Sequence, residues 1–205
     1  MQRLYRLIGL VMGVPLLAGC WSFHYSKVGI GRFDGKATAR WIEPDKFTYE
    51  PDTSDPLRFV CPNGDKIQPG PMYTDGGSIP RPMWIFRNYS PWGYVPAYLI
   101  HDWLFHARQC QLPGSDRYTF DDSTLILSEC IKTLMETNPR VGVDKFTMYT
   151  IYLAVRSNVA KDAWDSGRCS MPPSPMQITR ANEIAAATQN AFVQVFDFRG
   201  GQGPQ

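Results

Sequence analysis

Pro96-Ala97-Tyr98-Leu99-Ile100-His101-Asp102-Trp103-Leu104-Phe105-His106-Ala107 is the stretch at which the chain turns helical. Proline sits in its first turn, where a missing N–H costs nothing, and an apolar face follows. Downstream, a loop carries Cys110, Pro113 and Gly114. The pattern then predicts a second helix over about 119–137. A third is predicted over about 143–164, with apolar positions 148, 151, 152 and 155. A Pro- and Ser-rich break at 170–177 precedes a last amphipathic helix, about 179–195, built around Ile184, Ala187, Ala191 and Val195. Upstream the period changes. Ala39-Arg40-Trp41-Ile42, Phe47-Thr48-Tyr49 and Leu57-Arg58-Phe59-Val60-Cys61 read as short strands, and Asn63-Gly64 is a hairpin signal. Residues 69–95 form a long loop rich in Gly, Pro and aromatics, with Trp84, Phe86, Tyr89 and Trp92. Strands first and helices after give an α+β fold: a small antiparallel sheet followed by three to four packed helices.

The first twenty residues are of a different kind. Arg3 and Arg6 precede an apolar run over residues 7–18, interrupted by Gly9, Gly13 and Pro15. A spanning helix needs roughly 20 apolar residues, so this run fits the core of a signal peptide. It ends in Leu17-Ala18-Gly19-Cys20, which resembles a bacterial lipobox. That resemblance implies cleavage before Cys20 and acylation of its thiol, a partnership with membrane lipid. Trp21 stands where Asp would signal inner-membrane retention, so an outer-membrane envelope lipoprotein is expected. The expected organisation is a signal peptide at 1–19, a lipidated tether at 20–36 and one domain at 37–168. A Pro-rich linker, an amphipathic helix and a disordered tail would fill 169–205.

Loss of residues 1–19 takes away two arginines and brings the net charge from +2 to zero. A neutral chain lacks the basic footprint of a nucleic-acid binder. Besides Cys20, the cysteines are Cys61, Cys110, Cys130 and Cys169. An exported chain can form disulfides, and four cysteines allow three pairings. Cys110 and Cys130 flank one loop-to-helix junction and are the favoured pair. No Cys-x-x-Cys spacing points to zinc.

The three histidines are His24, His101 and His106. Positions 101 and 106 lie about 140° apart around a helix, which argues against a two-histidine metal face. His101-Asp102 is different. Adjacent side chains diverge by about 100°, so one can serve as base while the other holds a cation. A carboxylate in an apolar helix needs a partner, and Ca²⁺ would satisfy it. Asp121-Asp122 opens the next helix, where acidic residues complement the dipole. Asp122 could also fix the tautomer of a neighbouring histidine. Arg156 and Tyr152 suit packing plus an ion pair to Asp102 or Asp122, which would compete with a cation.

Four ordered segments resemble an uncharacterised bacterial and phage family: Thr74-Asp75-Gly76-Gly77-Ser78-Ile79-Pro80, the His101-Asp102 helix, Phe120-Asp121-Asp122, and Ile151-Tyr152-Leu153-Ala154-Val155-Arg156. That family carries no settled activity. A glycine loop, a His-Asp helix and a following Asp helix are also similar to the phospholipase A2 arrangement. This second resemblance implies His101 as general base, Asp122 as its orienting partner and Asp102 as calcium ligand. Gly76 and Gly77 would lie in the metal loop, with Asp75 as an extra ligand. Phe105 stands where a Tyr is usual, and the neighbouring cysteines of the secreted enzymes are missing. The expectation is a membrane-anchored, calcium-dependent hydrolase of lipid ester. The alternative is a non-catalytic envelope lipoprotein that binds a protein partner or excludes phage.

Overall fold

The computed structural model describes residues 19–43, 46–74, 94–188 and 193–198. The fold is α+β. Residues 19–27 form helix α1. Six short strands follow: β1 (Arg32–Asp34), β2 (Lys36–Glu43), β3 (Lys46–Tyr49), β4 (Arg58–Val60), β5 (Lys66–Ile67) and β6 (Met72–Thr74). Then come α2 (Val95–Gln109), a 3₁₀ turn (Ser115–Arg117), α3 (Phe120–Thr137), α4 (Lys145–Val155), α5 (Asn158–Ser166), α6 (Pro175–Ala187) and β7 (Val193–Asp197). The strands make two antiparallel sheets, β1-β4-β5 and β6-β3-β2-β7. Residues 1–18 of the expected signal peptide lie outside the described residues, and so does most of the stretch expected to form the aromatic loop. Among the described residues no helix is long and apolar enough to cross a membrane.

Local chemistry sets these elements. Gly64 takes φ +90° in the β4–β5 turn, a conformation that favours glycine. At Gly31, a Cβ would come within 2.4 Å of the Phe59 ring and the Val60 carbonyl, and the Gly31 N–H donates to Thr133 Oγ1 at 2.9 Å. Glycine there lets the chain pass close between β4 and α3. Ile100 and Leu99 of α2, Leu127 and Ile131 of α3, and Met148 and Ile151 of α4 are all fully or nearly fully buried. They meet Tyr49, Leu57, Phe59 and Met72 from the strands.

Four expectations change. The predicted third helix is two helices, because the Ser157 side chain accepts the Ala160 N–H and caps α5. The predicted last helix ends at Ala187, and Val193–Asp197 returns as a strand beside β2, Lys36 opposite Asp197. The C-terminal segment thus belongs to the fold, with Ala181, Ala185 and Phe196 buried. Third, the chain after Cys20 is no loose tether. Tyr25 and Val28 are buried, Tyr25 Oη donates to Glu136 at 2.6 Å, and Lys132 Nζ donates to the carbonyls of Tyr25 (2.9 Å) and Val28 (2.7 Å). Fourth, Cys110 pairs with Cys169 rather than Cys130. Cys130 lies midway along α3, fully buried, about three turns from the helix start that Cys110 approaches. Burial holds its thiol well above the usual range, and pushes that of buried Cys61 up to about 12.

Candidate functional site

Helix α2 carries the candidate chemistry into a cavity of about 660 Å³. His101, Asp102, Phe105, His106 and Gln109 line one side. Tyr73 and Thr74 reach it from the end of β6. Ile151, Ala154 and Val155 of α4, with Val159, Ala160 and Ala163 of α5, form an apolar opposite wall. The small alanines leave the volume open. Ser157, Ser170, Met171, Pro172 and Gln177 complete the lining, Ser170–Pro172 on one segment. Ser170, Met171 and Pro172 directly follow Cys169, whose disulfide to Cys110 fastens them to the end of α2.

The floor is held by aromatic packing. Phe105 meets Trp164 edge-on at 5.0 Å between centroids and Phe120 at 6.4 Å. That trio ties α2, α3 and α5 together behind Phe105 of the lining. Gln109 Nε2 donates to the Ala163 carbonyl at 3.0 Å, a second link between α2 and α5.

His101 is 4 % exposed, and its Nδ1 lies 3.2 Å from the Ser123 carbonyl oxygen. A carbonyl can only accept, so Nδ1 carries the proton in this bond. Asp102 accepts a hydrogen bond from Thr74 Oγ1, so the carboxylate is tied to β6. The Tyr73 hydroxyl is buried and has no hydrogen-bond partner among the described residues. His106 is 8 % exposed, and burial lowers its pKa from the usual imidazole value. It stacks near Trp103 and sits 3.7 Å from Cys110 Sγ.

Asp122 occupies another place. Its carboxylate accepts the Thr119 N–H at 2.8 Å and the Thr119 hydroxyl at 2.7 Å, while its own N–H donates back to Thr119 Oγ1. This is a reciprocal cap that starts α3. The partner of His101 on α3 is thus the backbone of Ser123, one residue further on. Asp121 pairs with Arg156 at 3.1 Å in an exposed bridge. Arg156 also donates to Tyr152. The cation expected to compete for Asp102 or Asp122 is therefore engaged with Asp121.

Of the expected site, His101 and Asp102 share the cavity, Asp122 caps α3, and Asp75, Gly76 and Gly77 lie outside the described residues. His24 is not in a tether. It packs between Tyr149 and Tyr152, at 5.5 and 4.0 Å, and its pKa is lowered by burial and by Arg156. Thr74, Tyr73, His106 and Gln109 were not singled out as site residues by sequence. The helical spacing of 101, 105 and 109 could have marked Gln109, Thr74 heads the Thr74–Pro80 segment with no role read for it, and nothing local marks Tyr73.

A calcium ion takes six to eight oxygen ligands. Asp102 is the one carboxylate lining the cavity among the described residues, and no group of three or more His, Cys, Asp or Glu there could hold a metal. The described residues therefore do not by themselves make a calcium site.

Compared with family models, with curated proteins and with solved structures, the chain matches none of them.

Proposed function

We propose that the chain is a bacterial envelope lipoprotein, acylated on Cys20 and held at the outer membrane, whose cavity hydrolyses a lipid ester. The observation that carries this reading is the placement of His101 and Asp102 on one wall of a single cavity, facing an apolar wall. A buried imidazole held through its Nδ1–H is the kind of group that takes a proton from water. The apolar wall suits an acyl chain, and the polar wall suits the ester that ends it. Calcium is the candidate ion, which Asp102 would hold together with Asp75, Gly76 and Gly77.

The test is hydrolysis of phospholipid vesicles by the acylated protein, with calcium and with a chelator. His101→Gln should abolish fatty-acid release while leaving Tm within a few degrees. Full release by His101→Gln refutes the base, and chelator-insensitive release refutes the calcium expectation alone.

A second reading is a non-catalytic lipoprotein that binds a protein partner or excludes phage. It is favoured by Val159 and Met171 at the cavity, 79 % and 78 % exposed, with Met176 equally bare nearby. Under that reading His101→Gln leaves the phenotype intact, while Val159→Ser/Met171→Ser abolishes it.

A further inference from the structure

The chain leaves no spacer between its acylation residue and its folded domain. Helix α1 is described without a break from residue 19 through Lys27. By Tyr25 and Val28 it is already buried, and Lys132 from mid-α3 holds the two carbonyls near its end. Acyl chains on Cys20 would therefore enter the membrane within a turn or two of packed protein. At about 1.5 Å rise per residue, Tyr25 lies only about 8 Å along the helix from the anchor. The surface around Cys20 must then meet the headgroups.

That surface has the matching chemistry. Cys20, Phe23 and Lys27 fall at i, i+3 and i+7, one stripe of the helix. Cys20 is exposed, Phe23 is 65 % exposed, and the Lys27 ammonium sits 5.4 Å from the Phe23 ring centre. Beside the stripe, Trp21 meets Phe146 of α4 edge-on at 5.2 Å, and Phe146 is itself 51 % exposed. Exposed large apolar residues next to lysine are what an interfacial helix presents to acidic headgroups.

We infer that the domain is seated directly on a phospholipid bilayer through the Cys20–Phe23–Lys27 stripe and the Trp21–Phe146 edge. The inference rests on acylation of Cys20 and is independent of any chemistry at His101. The seated protein holds a fixed attitude to the membrane and does not swing on a leash.

The test reconstitutes the acylated protein into vesicles of phosphatidylethanolamine and phosphatidylglycerol, with or without brominated acyl chains, and reads tryptophan emission. Bromine quenches rings that reach the bilayer. The quenched component is expected to disappear in Trp21→Phe and to persist in Trp164→Phe, whose ring is in the core. Phe23→Ser/Phe146→Ser should cut it at least twofold at unchanged Tm, since both rings are exposed. Absence of quenching, or quenching unchanged in Trp21→Phe, overturns the seating. The mass of the N-terminal peptide separates the two failures. An unacylated Cys20 overturns both anchoring and seating, whereas an acylated Cys20 with an unquenched Trp21 overturns the seating alone.

Discussion

Lys132→Met should loosen the N-terminal helix from the domain. Lys132 is 8 % exposed, and its ammonium donates to the Tyr25 and Val28 carbonyls at 2.9 and 2.7 Å. It also lies 4.7 Å from the centre of the Tyr25 ring. Methionine keeps the stem but removes the donor, leaving two carbonyls near the end of α1 short of a partner. An unsatisfied buried polar group costs about 1–3 kcal/mol. A cation lost from a helix C-terminus adds about 0.5 kcal/mol. Relief from burying an ammonium offsets part of this. The net loss should be about 2 kcal/mol, which in a chain of this size lowers Tm by about 4–8 °C. Thermal unfolding of wild type and variant measures that. Limited proteolysis should in addition show faster cleavage after Lys27. A Tm within 1 °C of wild type, with unchanged cleavage at Lys27, would refute the claim that this lysine fastens α1.

Other outcomes follow from the same structure. Burial raises the Glu129 pKa from 4.5 to about 7, so its favourable contribution is full below pH 4.5 and is lost as pH rises to 7. Glu129→Gln should flatten the stability-against-pH curve over that window and raise stability at pH 8 by an amount on the order of 3 kcal/mol at most; an unchanged slope refutes it. Replacing Cys110 and Cys169 by Ser should destabilise by about 4 kcal/mol or less, since the bridge closes 59 residues of chain. Denaturant unfolding reads this, and an unchanged midpoint contradicts the role of the bridge as a fastener. Asp122→Asn should cost about 1 kcal/mol through the α3 cap and leave any hydrolysis rate intact; a fall in kcat without a fall in Tm would show that Asp122 orients His101 instead.

Where local chemistry sets an element, the residues announced it. Asn63-Gly64 marked the β4–β5 hairpin, Pro96 marked the start of α2, and the short runs at 39–42, 47–49 and 57–61 all became strands. Thr119-x-x-Asp122 carried the pattern of a reciprocal cap, a stronger signal for the role of Asp122 than its distance from a histidine. Elements fixed by distant partners were not legible. Val193–Asp197 continues a helical spacing with Ile184, Ala187 and Ala191, yet it pairs with β2 from the far end of the chain. The choice of Cys169 over Cys130 depends on α5 bringing its C-terminal end beside Gln109. At the site, the His101-Asp102 dipeptide was readable because one helix carries both. Thr74, Tyr73 and the segment from Ser170 to Pro172 reach the cavity only through tertiary packing.

The most direct measurement is the rate of fatty-acid release from phospholipid vesicles by the acylated protein, wild type against His101→Gln, at matched surface density. The account predicts release by the wild type that falls about 100-fold or more in the variant, the size of a lost general base. Equal rates in the two proteins, or no release by the wild type with calcium present, would contradict it.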